Sequence, residues 1–142
     1  MIKQISVFLE NNPGSLFRVA DILAKADVDI RALTISENSD FALFRIIVND
    51  SERAVKTLTD NNIAALQQDV IGVEVDDKPG GLAKVAEILS RNRINIEYVY
   101  PLIARLHKNA FIILRTDNVE KAEKILARSK VHILEKREFY EV

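Results

Sequence analysis

The chain spells one strand-to-helix corner twice. Residues 10–23 read ENNPGSLFRVADIL, and residues 76–89 read DDKPGGLAKVAEIL. When residues 5–34 are laid over 71–100, ten of thirty positions are identical, among them Ile5/Ile71, Val7/Val73, Pro13/Pro79, Gly14/Gly80, Leu16/Leu82 and Leu23/Leu89. Arg18/Lys84, Asp21/Glu87 and Val28/Ile94 keep their chemistry. The match resumes two residues out of step, where Ala42, Glu52, Ala54, Lys56 and Leu58 align with Ala110, Glu120, Ala122, Lys124 and Leu126. The extra two residues fall in the connection before Ala110, where a surface loop absorbs them. Such a repeat constrains the fold more than length does, because each copy must be a foldable unit. The sequence therefore reads as two homologous modules, residues 1–68 and 69–142.

Both modules show the same order of elements. IKQISVFL places Ile5, Val7 and Leu9 on one face at a period of two, and VIGVEV does the same with Ile71, Val73 and Val75, so both are strands. After the Pro-Gly corner, Leu16, Val19, Ala20 and Leu23 fall at helical spacing, as do Leu82, Val85, Ala86 and Leu89. VDIRALTI and INIEYVY are β-branched or aromatic second strands. FALFRIIV and AFIIL are continuous apolar runs that suit central strands. Asp50 or Ser51 caps the next helix, and the counterpart helix starts near Asn118. Short fourth strands are expected around residues 63–67 and 131–134. The order βαββαβ, read twice, predicts an α+β fold: two tandem ferredoxin-like modules, each an antiparallel four-stranded sheet with two helices on one face.

The 142 residues carry 20 Lys and Arg against 21 Asp and Glu, for a net charge of −1. The basic footprint of a nucleic-acid or anionic-membrane binder is absent. Without cysteine there are no disulfides, thiolate nucleophiles or cysteine metal sites. MIKQISVFLENN turns polar after a short apolar stretch, and no apolar run approaches the roughly 20 residues of a membrane span. The expectation is a cytoplasmic protein with no nucleic-acid or membrane partner. His107 and His132 have no evident nucleophile or metal partner, and the carboxylates are scattered. The chain is therefore expected to have no catalytic residue, no metal and no cofactor, and not to be an enzyme.

The corner itself carries the chemistry. Proline fixes φ and lacks an N–H, which is harmless at a helix start. Glycine lets the backbone approach another group closely. The N–H groups of Ser15 and Leu16, and of Gly81 and Leu82, lie in a first helical turn without intrahelical partners, an arrangement that suits a carboxylate. Asn11 and Asp77 stand two residues before the proline, and Asp29 and Asn95 open the second strand eighteen residues later. Each module thus combines backbone donors with two side-chain oxygens, which is what a free α-amino acid requires. The alternative is that Pro-Gly is only a turn and the Asx residue only a cap, copied with the repeat.

The pattern strand, Asx-x-Pro-Gly-x-Leu, helix, then Val/Ile-Asx-Ile resembles the ACT domain, and the resemblance covers essentially the whole chain as two tandem copies. VEVDDKPGGLAKVAEILSRNRINIEYVY is the clearer copy. The resemblance implies a small-molecule sensor of amino-acid metabolism, with the ligand held where two ACT modules meet and a regulated partner enzyme. It implies a binding set of Asn11, Asn12, Gly14, Ser15, Leu16, Asp29 and Ile30 in the first copy. In the second copy the set is Asp77, Lys78, Gly80, Gly81, Leu82, Asn95 and Ile96. In serine-sensing members a histidine accompanies the site. Leu9 and Val75 occupy that position here, so serine specificity does not carry over. Ser15 against Gly81 makes the two sites unequal.

Three other readings share the element order or the family. An RNA-recognition module needs exposed aromatics on its central strands and a basic surface, and only Phe8 stands near the right place. An acylphosphatase-type enzyme needs a longer phosphate cradle with an arginine in it. A ligand-free ACT module that dimerises, and regulates a partner enzyme by contact, remains as the alternative. Assembly follows from reach. In the usual strand order 4-1-3-2, pairing the two second strands within one chain separates the joined ends by ~29 Å. Residues 67–70 reach about 14 Å. A strand is exchanged or the second-strand edges pair between chains, so a homodimer is expected, and REFYEV (137–142) is expected as an added edge strand.

Overall fold

The computed structural model describes residues 1–37, 40–103 and 109–140, with residues 139 and 140 described in their backbone alone. It divides into two compact units, one of Lys3–Gln68 and one of Asp69–Val142 with Met1–Ile2. The fold is α+β, built from six strands and five helices among the described residues.

The first unit runs β1 (Ile2–Glu10), α1 (Ser15–Lys25), β2 (Ile30–Glu37), β3 (Phe41–Val48), α2 (Ser51–Asp60) and the start of β4 (Ala65–Val75). Its strands neighbour one another in the order β2-β3-β1-β4. β3 is antiparallel to both flanking strands, with Phe44 opposite Val7 and Ile46 opposite Leu33. The period-two face of β1 enters the core as Ile5, Val7 and Leu9. It meets Phe44, Ile46 and Val48 of β3, Val19 and Leu23 of α1, and Ala54 and Leu58 of α2. The continuous apolar run of β3 is explained by burial on both faces: Phe44, Ile46 and Ile47 are all at most 1% exposed.

The second unit continues β4 into α3 (Gly81–Arg91), β5 (Ile96–Pro101), β6 (Ala110–Thr116), α4 (Val119–Arg128) and α5 (Lys136–Tyr140). Its strand order is β4-β6-β5. Ile71, Val73 and Val75 pack with Leu114, with Val85 and Leu89 of α3, and with Ala122 and Leu126 of α4. The repeat extends to backbone geometry that side chains do not announce. Asp27, Asn62, Arg93 and Lys130 each take a left-handed conformation just past a helix, with φ of 59°, 61°, 56° and 63°. Asp27 and Arg93 are equivalent positions, as are Asn62 and Lys130, although Arg and Lys are poor choices for that region.

Three expectations are corrected. The fourth strand of the first module and the first strand of the second are one strand, β4. No Gly, Pro or Asn interrupts residues 64–71, the Gln68 amide oxygen accepts from Ser6 Oγ at 3.0 Å, and Arg115 Nη1 donates to the Asp69 carbonyl at 2.6 Å. The expected strand at 131–134 reduces to one bridge, Val73 to Ile133. Pairing stops there because the Glu135 N–H donates to the Glu138 carboxylate at 2.6 Å, which opens α5. Hence residues 137–140 are helical rather than an edge strand. Leu16 and Leu82, which share helical spacing with the buried Val19 and Val85, are 43% and 49% exposed. His107 and most of the connection before Ala110 lie outside the described residues, as do residues 141 and 142.

Candidate functional site

Both corners fold alike. Gly14 and Gly80 are the N-caps of α1 and α3, with φ of +90° and +92°. That region is open to glycine and costly for other residues, so φ is what requires glycine here. No atom lies within 4 Å of a Cβ built on either. Neither helix has a side-chain cap. By contrast, Asp50 caps α2 by accepting from the Arg53 N–H at 3.1 Å, and Asn118 caps α4 by accepting from the Lys121 N–H at 3.1 Å. Gly14 and Gly80 hold the N-cap positions, so neither Asn11 nor Asp77 is the N-cap residue of its helix. Part of the donor set also differs from expectation. The Ser15 N–H donates to the Asn12 carbonyl at 3.4 Å and the Gly81 N–H to the Lys78 carbonyl at 3.1 Å. The open donors are one residue further on: the N–H groups of Leu16 and Phe17, and of Leu82 and Ala83, have no backbone acceptor among the described residues.

Around these donors the side chains separate. Asn12 Nδ2 donates to Glu10 Oε2 at 3.0 Å, and Asn12 Oδ1 accepts from Ser15 Oγ at 2.5 Å. Asn11 is exposed, as are Asp77 and Lys78. Lys78 Nζ lies 4.0 Å from Asp76 Oδ2, a solvent-exposed pair that contributes little. Asp29 and Asn95 are held by their backbones. The Asp29 N–H donates to Asn49 Oδ1 at 2.9 Å while its carbonyl accepts from the Asn49 N–H at 3.1 Å. Asn95 and Asp117 repeat this exchange at 3.1 Å in both directions. The clamp ties the start of the second strand to the end of the third, and Asn49 and Asp117 escaped sequence reasoning because only the pairing register brings them there. The Asp29 carboxylate pairs with Arg31 Nε at 3.1 Å. Ile30 and Ile96 are half-buried.

A cleft of about 530 Å³ opens beside the first corner. Leu9, Val19 and Ile63 form its apolar base, and Phe8, Glu10, Asn12, Gly14, Ser15, Arg18, Asn62 and Ala64 line its walls. At the same place in the second unit, about 220 Å³ is enclosed by Glu74, Val75, Asp76, Gly81, Lys84, Val85, Asn109, Lys130, Val131 and His132. Of the sequence-derived set, Asn12, Gly14 and Ser15 line the first space and Gly81 the second. Asn11, Leu16, Asp29, Ile30, Asp77, Lys78, Gly80, Leu82, Asn95 and Ile96 line neither. Both spaces lie on the flank of the corner that faces the connection from the second helix of the unit. Sequence reasoning did not assign Arg18, Glu10 or Asn62 to a site. The signal for Arg18 was present, because Arg18 and Lys84 keep a cation at one repeat position.

His132 is not isolated. Its Nε2 lies 2.7 Å from Glu138 Oε1. Burial pushes the Glu138 carboxyl up, but the Glu135 N–H, His132 and Arg137 together outweigh it and hold the group below the ordinary glutamate range. Among the described residues, no cluster of three His, Asp or Glu side chains is placed to hold a metal ion. No helix among them is long and apolar enough to cross a membrane.

The family described as an ACT domain pair matches residues 1–142. No curated protein matches the sequence. A crystal structure of a Bacteroides thetaiotaomicron protein is 38% identical, with a TM-score of 0.91 over 99% of this chain and 96% of that one. The ligand-free regulatory subunit of aspartate kinase from Thermus thermophilus is 18% identical, with a TM-score of 0.64 over 89% of this chain and 90% of that one. The aspartate kinase of Clostridium acetobutylicum, an allosteric enzyme, is 16% identical, with a TM-score of 0.51 over 99% of this chain and 33% of its own. For the two kinase structures the likeness is one of fold.

Proposed function

The chain belongs to the ACT domain pair family, and from that membership we propose that it is a regulatory protein that binds a free amino acid, or a small metabolite of the same kind, and is not a catalyst. One observation carries the reading. Two of the helices start on a left-handed glycine and have no side-chain cap, whereas α2 and α4 are capped by Asp50 and Asn118. An uncapped helix start with open N–H groups holds a carboxylate without a cation having to be buried. Residues 1–68 and 69–142 are the two ACT-like modules in this reading, working in the cytoplasm. A partner enzyme of amino-acid metabolism is the regulated target, in keeping with the regulatory-subunit fold of the Thermus thermophilus structure.

Assembly is part of the proposal. β2 ends the strand order of the first unit and β5 that of the second, and the end strand of a sheet is where another chain can pair. Beside β2, Leu33 and Ile35 are 41% and 42% exposed, and Phe17 of α1 is 73% exposed. A second copy of the chain covers them. The same apolar surface favours the second reading, a ligand-free dimerisation module that acts on its partner enzyme by contact alone.

Thermal unfolding with each common free amino acid separates the two readings. A ligand at a hundred times its dissociation constant adds about 2.7 kcal/mol, which raises the midpoint by several degrees. No shift with any of them at millimolar concentration leaves the dimerisation module.

A further inference from the structure

The two corners descend from one repeated sequence, yet the spaces beside them differ more than twofold in volume, about 530 Å³ against 220 Å³. Equivalent positions explain the difference. Where the first unit has Asn62 and Ala64, the second has Lys130 and His132, and the larger side chains line the smaller space. Where the first has Phe8 and Phe41, their ring centroids 6.4 Å apart, the second has Glu74 and Asn109, joined by a hydrogen bond of 2.8 Å. That bond engages one of the carboxylates of the second space. The corners also close differently. A Cβ on Gly81 would lie 2.0 Å from the Asp76 carbonyl oxygen, so the second corner is folded down onto α3. The equivalent Ser15 carries a side chain without obstruction and turns its hydroxyl to Asn12.

Resting on the amino-acid reading above, we propose that each chain holds one ligand, in the cleft of the first unit, with Arg18 joining the open N–H groups of the α1 start on its carboxylate and Glu10 holding its ammonium. Arg18 Nη2 donates to the Asn61 carbonyl at 3.3 Å, which fixes the guanidinium and leaves further N–H donors in a planar fork. Glu10 Oε2 is taken by Asn12, and Oε1 stays available as an acceptor. Between the two charges, Leu9, Val19 and Ile63 offer an apolar base for a side chain. A volume of about 530 Å³ falls within the range of small-molecule sites, roughly 300–1,000 Å³, and 220 Å³ falls below it. The ligand thus lies on the flank of the corner away from Asp29, whose carboxylate is paired with Arg31.

The test uses the full chain labelled with nitrogen-15, titrated with each common free amino acid in turn, and calorimetry on those that bind. The expected result is one ligand per chain, with amide shifts at Leu16 and Phe17 and none at Leu82 and Ala83. Arg18→Gln weakens binding about tenfold or more, the loss of a charge-assisted hydrogen bond. Lys84→Gln leaves it unchanged. Ala64→His, which copies the second unit into the first, abolishes it. Arg18 is exposed, so Arg18→Gln reports on binding even if Ala64→His fails to fold. Two ligands per chain, or binding lost in Lys84→Gln and kept in Arg18→Gln, overturns this assignment and leaves the amino-acid reading standing. No amide shift with any amino acid overturns both.

Discussion

Asn95 and Asp29 illustrate how much a single side chain depends on its backbone. Their sequence positions suggested ligand-holding oxygens. In the folded chain their backbone groups carry the structure, through the exchange with Asp117 and Asn49. The Asn95 side chain is exposed and has no partner among the described residues. Asn95→Ala should therefore change stability by less than about 0.5 kcal/mol, as surface substitutions do. Asp117→Ala removes the acceptor of the Asn95 N–H and should cost about 1 kcal/mol. Urea unfolding of the two variants measures both, and equal losses would mean that the Asn95 side chain carries structure after all. Glycine shows the same dependence. Gly14 and Gly80 are required by their φ, whereas Gly81 is required by the Asp76 carbonyl against it.

Among the elements, α5 reverses the expected strand through one carboxylate. Glu138 accepts from the Glu135 N–H and meets His132, and its carboxyl is held below the ordinary glutamate range. A depressed carboxyl contributes stability that is present above its unfolded value and lost as pH falls through the folded one. Lowering the pH through the glutamate range should loosen α5, read as loss of amide protection at Glu135. In Glu138→Gln that protection should be weak at neutral pH and should not fall further in acid. The end of the second unit holds a second dependence. A Cβ on Gly72 would lie 2.9 Å from Ile2 Cδ1 and 3.1 Å from Leu134 Cβ, and Leu134 is buried against it while donating its N–H to the Gly72 carbonyl at 2.8 Å. Gly72→Ala should cost about 1–3 kcal/mol through overpacking, measured by thermal unfolding.

For the molecule as a whole the testable matter is assembly. A second copy over β2 and Phe17 gives a dimer at micromolar concentration in light scattering. Phe17→Glu places a charge in that interface and should yield a monomer with an unchanged helical signal. A wild-type monomer under the same conditions would remove the dimer from the proposal. Ligand binding and dimerisation are then separable, because Arg18 and Phe17 are different residues of α1.

The repeat, the order of elements as far as α4 and the two cores were legible in the sequence. Burial of a helix stripe or a strand face imposes a period that residues such as Val19 and Leu23, or Ile5 and Val7, obey locally. Asp50 was legible as one of two candidate caps, and Asn118 as the start of its helix, since a cap acts within three residues. What lay beyond the sequence was whatever depends on partners far along the chain. The clamp on Asn95 needs Asp117. The inequality of the two clefts needs Ala64 or His132 brought beside a corner some fifty residues away in sequence. A motif records the local conformation it imposes, and it carries no record of the volume that distant side chains leave around it.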